Sequence, residues 1–293
     1  MDEHGGAGSD RMGSALEYEL LAIDLDGTLL NSEHTLPAAN RAALHRAHQA
    51  GVRIVLCTGR AFTETRPVLA EIGLDLDATV TVFGALVSEA TSGRTLERTA
   101  IPPSDALALT DWFQARGFPV LWLTDPDEAG SDGYMLAGPR RHPAVDAWLE
   151  RSPCKVSNVE RLPDGCAAPL RLSIIEETAV LKVVSEELRA AFDGRIRHNV
   201  LHAPPYRLSL IEAFAPIVDK WYGIEKLCRR WGVDPRRTVA VGDDVNDLDM
   251  IQRAGLGVAV ANARPAVCAA AERVVGSHND CGVAQLIDEL WPG

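Results

Sequence analysis

The 293-residue sequence contains no Cys-x-x-Cys pair and no Cys/His grouping at zinc spacing, which sets aside a redox dithiol or a zinc module. Its six cysteines, Cys57, Cys154, Cys166, Cys228, Cys268 and Cys281, fall mostly inside apolar patterns. A thiol there behaves as a small hydrophobe, so they read as free thiols in a reducing compartment. There is no basic run and no basic–aromatic stripe, and 41 acidic against 29 basic residues leave a formal charge of −12. That excludes the electrostatic footprint of a nucleic-acid binder. It also opposes an anionic ligand unless a bound cation offsets the charge locally. No apolar stretch reaches membrane-spanning length, and no internal repeat is visible. Residues 1–15, rich in glycine, serine and charge, read as a disordered tail rather than a signal peptide. The expectation is a cytoplasmic protein with no membrane or nucleic-acid partner.

What is present is an ordinary globular composition, 46% hydrophobic and 24% charged, with ample material for a core. The chain is organised around Leu20-Leu21-Ala22-Ile23-Asp24-Leu25-Asp26-Gly27-Thr28. A short unbroken apolar run reads as a strand buried on both faces of a parallel sheet, and Gly27 lets the chain turn away from it. Asp24 and Asp26 therefore sit at the carboxyl end of a buried strand, where open α/β sheets bind ligands. A polar Asp-Gly turn is the plain alternative, but two acids placed there call for a partner charge or a metal.

Thr35 is expected to cap a helix that runs to about Ala50, with Ala39, Ala43, Leu44 and Ala47 facing inward. A second strand, Val52 to Cys57, ends in Thr58-Gly59-Arg60. Strand, helix, strand makes the two strands parallel neighbours, so Thr58 lies near Asp24. Its hydroxyl, helped by the backbone N–H groups around Gly59, can bind a phosphate oxygen; a helix cap is the alternative. A helix to about Ile72 and a third strand, Thr79 to Phe83, follow.

From residue 88 to 213 the texture changes. Helices expected over Ser104–Arg116 and Thr178–Phe192 alternate with strands over Phe118–Thr124, Arg171–Ile175, Ile196–Leu201 and Tyr206–Ile211, punctuated by proline and glycine. We read this as an α+β domain inserted into a core formed by residues 16–87 and 214–293. Where the core resumes, Asp219 can cap a helix from Lys220 to Trp231. A lysine in a first turn is unfavourable unless an anion is near; an ordinary surface lysine is the alternative. The strand Thr238–Val241 then enters Gly242-Asp243-Asp244-Val245-Asn246-Asp247, a group of hard oxygen donors that suits Mg²⁺. A final strand–helix–strand and a helix over 282–290 close the sheet.

Asp-x-Asp-Gly-Thr, strand-Thr-Gly-Arg, the isolated Lys220 and Gly-Asp-x-x-Asn-Asp, in this order, resemble motifs I to IV of the haloacid dehalogenase (HAD) superfamily. The single insertion after the second motif resembles the C2 (IIB-type) cap of its Cof-type phosphatases. The resemblance implies a HAD-like Rossmannoid α/β core with an α+β cap. It also implies a Mg²⁺-dependent phosphomonoester hydrolase acting on small phosphorylated metabolites, sugar phosphates first among them, through an aspartyl-phosphate. It assigns Asp24 as nucleophile and Asp26 as general acid and base. Thr58, Gly59, Lys220 and Asn246 would bind phosphate, and Asp24, the Asp26 carbonyl, Asp243 and Asp247 would hold the metal. Three positions depart from the pattern: Phe83 replaces a usual Asn, Trp221 follows the lysine, and Val260-Ala261 stands for Met-Gly. A phosphomutase on the same scaffold and a non-catalytic phosphometabolite-binding regulator are the alternatives. A monomer or small homo-oligomer is expected.

Overall fold

The computed structural model describes residues 17–203 and 208–292. The tail expected over residues 1–15 lies outside the described residues, as do Tyr206 and Arg207 at the start of one expected strand.

The first part of the chain supplies β1 (Leu20–Ile23), β2 (Arg53–Cys57), β3 (Thr79–Thr81), β4 (Leu86–Ser88) and β5 (Thr95–Arg98). The middle supplies β6 (Val120–Leu123), β7 (Gly133–Leu136), β8 (Val156–Val159), β9 (Arg171–Glu177), β10 (Arg197–Ala203) and β11 (Leu208–Phe214). The last part adds β12 (Thr238–Gly242), β13 (Leu256–Val260) and β14 (Arg273–Val275). One sheet has eight strands in the order β14-β13-β12-β1-β2-β3-β4-β5, and the other six in the order β10-β11-β9-β6-β7-β8. From β14 to β3 the first sheet is parallel, and β4 and β5 add an antiparallel edge. This is the α/β core with an inserted α+β cap that the motifs implied.

Burial on both faces explains the apolar runs. Leu21, Ile23, Ile54, Leu56, Val239 and Val241 pack on one side of the core sheet under the helices Ala38–Gln49 and Gly282–Leu290. Leu20, Ala22, Val55, Cys57 and Ala240 pack on the other under Lys220–Trp231 and Leu248–Arg253. The cap has its own core, centred on Phe113, Phe118, Leu172, Ile174 and Leu181.

Three local expectations are corrected. The helix after motif I starts at Ala38 with Pro37 before it; Thr35 donates its hydroxyl to Asn31 Oδ1 at 3.0 Å instead. Its inward face carries Asn40 rather than Ala39, because Asn40 Nδ2 donates to the Leu29 carbonyl at 2.9 Å and its Oδ1 accepts from Ala284 N–H at 3.1 Å. The third strand stops at Thr81, since the Val82 and Phe83 amides turn back onto the Arg60 and Thr58 carbonyls at 2.9 and 3.1 Å. β4 and β5 pair with the core sheet as its antiparallel edge.

Candidate active site

Parallel pairing builds the site. β12, β1 and β2 are adjacent, with Ile23 opposite both Val241 and Leu56. Asp24 is the first residue after β1, Thr58 the first after β2 and Asp243 the first after β12. Three chain segments far apart in sequence thus release their polar residues side by side at one sheet edge. Gly27 makes the approach possible: it turns at φ +79°, and a Cβ there would lie 2.5 Å from Asp243 Oδ2. Beside it, Thr28 Oγ1 donates to Asp243 Oδ1 at 3.2 Å.

Asp24, Asp243 and Asp247 each offer one carboxylate oxygen within 4.8 Å of the others. Lys220 reaches this group from beneath. Its Nζ donates to Asp24 Oδ1 and Asp247 Oδ1, both at 2.6 Å, and it is 1% exposed. The other Asp247 oxygen accepts the Asp243 and Asp244 amides at 2.9 and 3.1 Å. One ammonium therefore faces three carboxylates. Burial works against the Lys220 charge, but Asp24 and Asp247 more than offset it, and its pKa rises. Burial pushes the Asp24 carboxyl up; Lys220 pulls it down, and the like charges of Asp247 and Asp243 push it up again. Burial and the Asp247 charge push Asp243 up to about 7. A buried group short of positive charge, built from hard oxygens, fits a divalent cation. The orphaned buried oxygen of Asn246, Oδ1, lies next to it in sequence and fits a further polar ligand.

Asp26 points elsewhere. Arg60 Nε donates to its Oδ2 at 2.7 Å and a second guanidinium nitrogen binds Oδ1, while His34 Nδ1 lies 3.2 Å away. Burial alone would raise this carboxyl, but the Arg60 hydrogen bonds prevail and hold it below its ordinary value. Thr58 is buried and takes the Arg60 amide on its hydroxyl at 3.2 Å. It does not cap the next helix, which begins at Phe62.

Above the sheet edge lies a cavity of about 330 Å³ between core and cap, within the range of small-molecule sites. Asp24, Asp26, Thr58, Gly59, Asp243 and Asn246 all line it. Lys220 and Asp247 do not; they form the layer beneath. Sequence reasoning assigned no role to Thr28 or Arg60, although both stand inside quoted motifs. It missed Arg171 and Glu212, a buried ion pair at 2.7 Å on the cap side of the cavity. The only signal for these was a charged residue at an alternating position of each cap strand.

The haloacid dehalogenase-like hydrolase family model matches residues 21–287. The 5-amino-6-(5-phospho-D-ribitylamino)uracil phosphatase YwtE of Bacillus subtilis is 27% identical, over 93% of this chain and 98% of its own. A haloacid dehalogenase-like hydrolase from Bacteroides thetaiotaomicron superposes with a TM-score of 0.78 at 25% identity, covering 93% of this chain and 99% of that one. A sugar phosphatase of HAD subclass IIB shares the fold at a TM-score of 0.74 and 20% identity, covering 92% and 98%. No helix among the described residues is long and apolar enough to cross a membrane.

Proposed function

Because this chain belongs to the haloacid dehalogenase-like hydrolase family, we propose that it is a Mg²⁺-dependent phosphomonoester hydrolase of small phosphorylated metabolites, with Asp24 as the nucleophile. The observation that carries this reading is the placement of Asp24. It ends a buried strand, belongs to a three-carboxylate group and lines the cavity shared with the cap.

Mg²⁺ would be held by Asp24 and Asp243, whose carboxylates line the cavity, with the Asp26 carbonyl beside them. Asp247 has both oxygens engaged and supports the group from below. When bound, the ion supplies charge neutralisation and orientation of the phosphoryl group. An Asp24 carboxylate oxygen attacks phosphorus; the P–O bond to the leaving alcohol breaks, and an aspartyl-phosphate forms. Asp26 gives its proton to the departing alkoxide and then takes one from the water that hydrolyses the intermediate. Paired with Arg60 it is in the base form, which suits the second step. The first step needs that pair opened, and a phosphoryl group entering beside Thr58 and Gly59 offers Arg60 a competing anion. Thr58, the Gly59 backbone and Asn246 bind phosphoryl oxygens. Lys220 acts on the phosphoryl group through Asp24 rather than by touching it in this arrangement. The six free cysteines support a reducing, cytoplasmic setting.

Phosphate release from p-nitrophenyl phosphate by purified Asp24→Asn protein tests the assignment. The expected result is a loss of at least about 10⁴-fold with the fold retained, as read by circular dichroism. Near-normal turnover would remove Asp24 from its role.

A further inference from the structure

We propose, resting on the phosphatase reading above, that the leaving group taken by this site is an alcohol carried on a flat, largely apolar ring rather than a polyhydroxylated sugar. The cap sheet has two different faces. Along β9, Leu172 and Ile174 enter the cap's own core, while Arg171, Ser173 and Ile175 line the cavity. Along β11, Ile211 and Ala213 turn to the core, and Leu210 and Glu212 to the cavity. Strand register sets these residues in two ranks. Glu212 stands opposite Ser173, Ser173 opposite Leu121 and Leu121 opposite Met135. Leu210 stands opposite Ile175 on one side and Leu201 on the other.

The polar groups gather at one corner. Arg171 donates to the Gly59 carbonyl at 3.0 Å and pairs with Glu212, which fixes that corner against the loop bearing Thr58. Arg171 Nε, Ser173 Oγ and Glu212 Oε2 are buried without a hydrogen-bond partner, in residues that are 6%, 3% and 3% exposed. Together they offer one donor, one acceptor and one hydroxyl, enough to read a single ring heteroatom or a single hydroxyl near the phosphorylated carbon.

Beyond that corner the wall is Leu121, Met135, Val145, Trp148, Ile175 and Leu210, with Val145 and Trp148 supplied by the helix Pro143–Arg151 that closes the side. A sugar chain carries hydroxyls on every face and would strand most of them against this surface, whereas buried polar groups need partners. A flat ring buries against it without that loss. The occupant is identified by continuity: the apolar wall and the acid group line one cavity, so what covers the wall is attached to the phosphate that Asp24 attacks.

The test compares benzyl phosphate with glucose 6-phosphate, both esters of primary alcohols, by phosphate release from the full-length protein in saturating Mg²⁺. Benzyl phosphate is expected to have the higher kcat/KM by roughly 10–200-fold, the span of discrimination that an apolar pocket gives. Trp148→Ala and, separately, Ile175→Gln are each expected to shrink that ratio. Hydrolysis of both esters with glucose 6-phosphate equal or preferred would overturn the ring assignment and leave the phosphatase reading standing. Release from neither ester, nor from p-nitrophenyl phosphate, would overturn the phosphatase reading and this inference with it.

Discussion

Lys220 shows how much one buried side chain decides. It places a positive charge beneath the acid group, and the only hydrogen-bond partners of its ammonium among the described residues are Asp24 and Asp247. Removing one member of a buried ion network leaves the others uncompensated, at a cost of about 3–5 kcal/mol. Lys220→Met is therefore predicted to lower stability by that order in chelator. Mg²⁺ should raise its thermal midpoint more than it raises the wild type's, since the ion replaces the lost positive charge. An unchanged midpoint in chelator would contradict this. At this scale the motifs made Asp24, Asp243 and Thr58 legible, because each directly follows an apolar strand. The position of Lys220 was legible as well, but its direction was not: a helix's first turn does not reveal whether its lysine enters a cavity or lies beneath one. The Arg60–Asp26 pair was hidden for a similar reason, since spacing fixes which loops meet and not which side chain turns toward which.

Elements were readable where burial is two-sided. β1, β2 and β12 are mostly apolar runs, and their bounds in the sequence lie within a residue or two of those in the structure. β5 is the half-exposed sequence Thr-Leu-Glu-Arg at the sheet edge, and β8 is Val-Ser-Asn-Val at the cap edge. Neither carries a hydrophobic signature, because an edge strand has one side to solvent, and neither was foreseen. Within the cap, β10 carries a pH-dependent contact. His198 lies 2.8 Å from Ser185 Oγ on the helix Thr178–Ala191. Burial, with the Arg189 charge adding to it, holds its pKa below the ordinary 6.5. A depressed histidine favours the fold in its neutral form, so its contribution is present above the unfolded pKa and is lost as pH falls through the folded one. His198→Gln should narrow the drop in thermal midpoint between pH 7.5 and pH 5. A drop as steep as the wild type's would contradict the contact's role.

Across the whole molecule, two sheets meet over one cavity, and their charges differ in origin. The core edge contributes Asp24, Asp26, Asp243 and Asp244, while Arg60 and Arg171 bring positive charge from the core loop and the cap. In a chain of net charge −12, an anionic substrate reaches that edge only if something offsets the acids there. Composition alone raised that difficulty, and the grouping of Asp24, Asp243 and Asp247 within 4.8 Å is the geometry through which a cation resolves it. The most direct test is phosphate release from p-nitrophenyl phosphate by protein stripped with EDTA and then titrated with Mg²⁺. The predicted result is no turnover in chelator and a saturable return as Mg²⁺ is added. Full turnover in excess EDTA, or none at saturating Mg²⁺, would contradict a cation-assisted attack by Asp24.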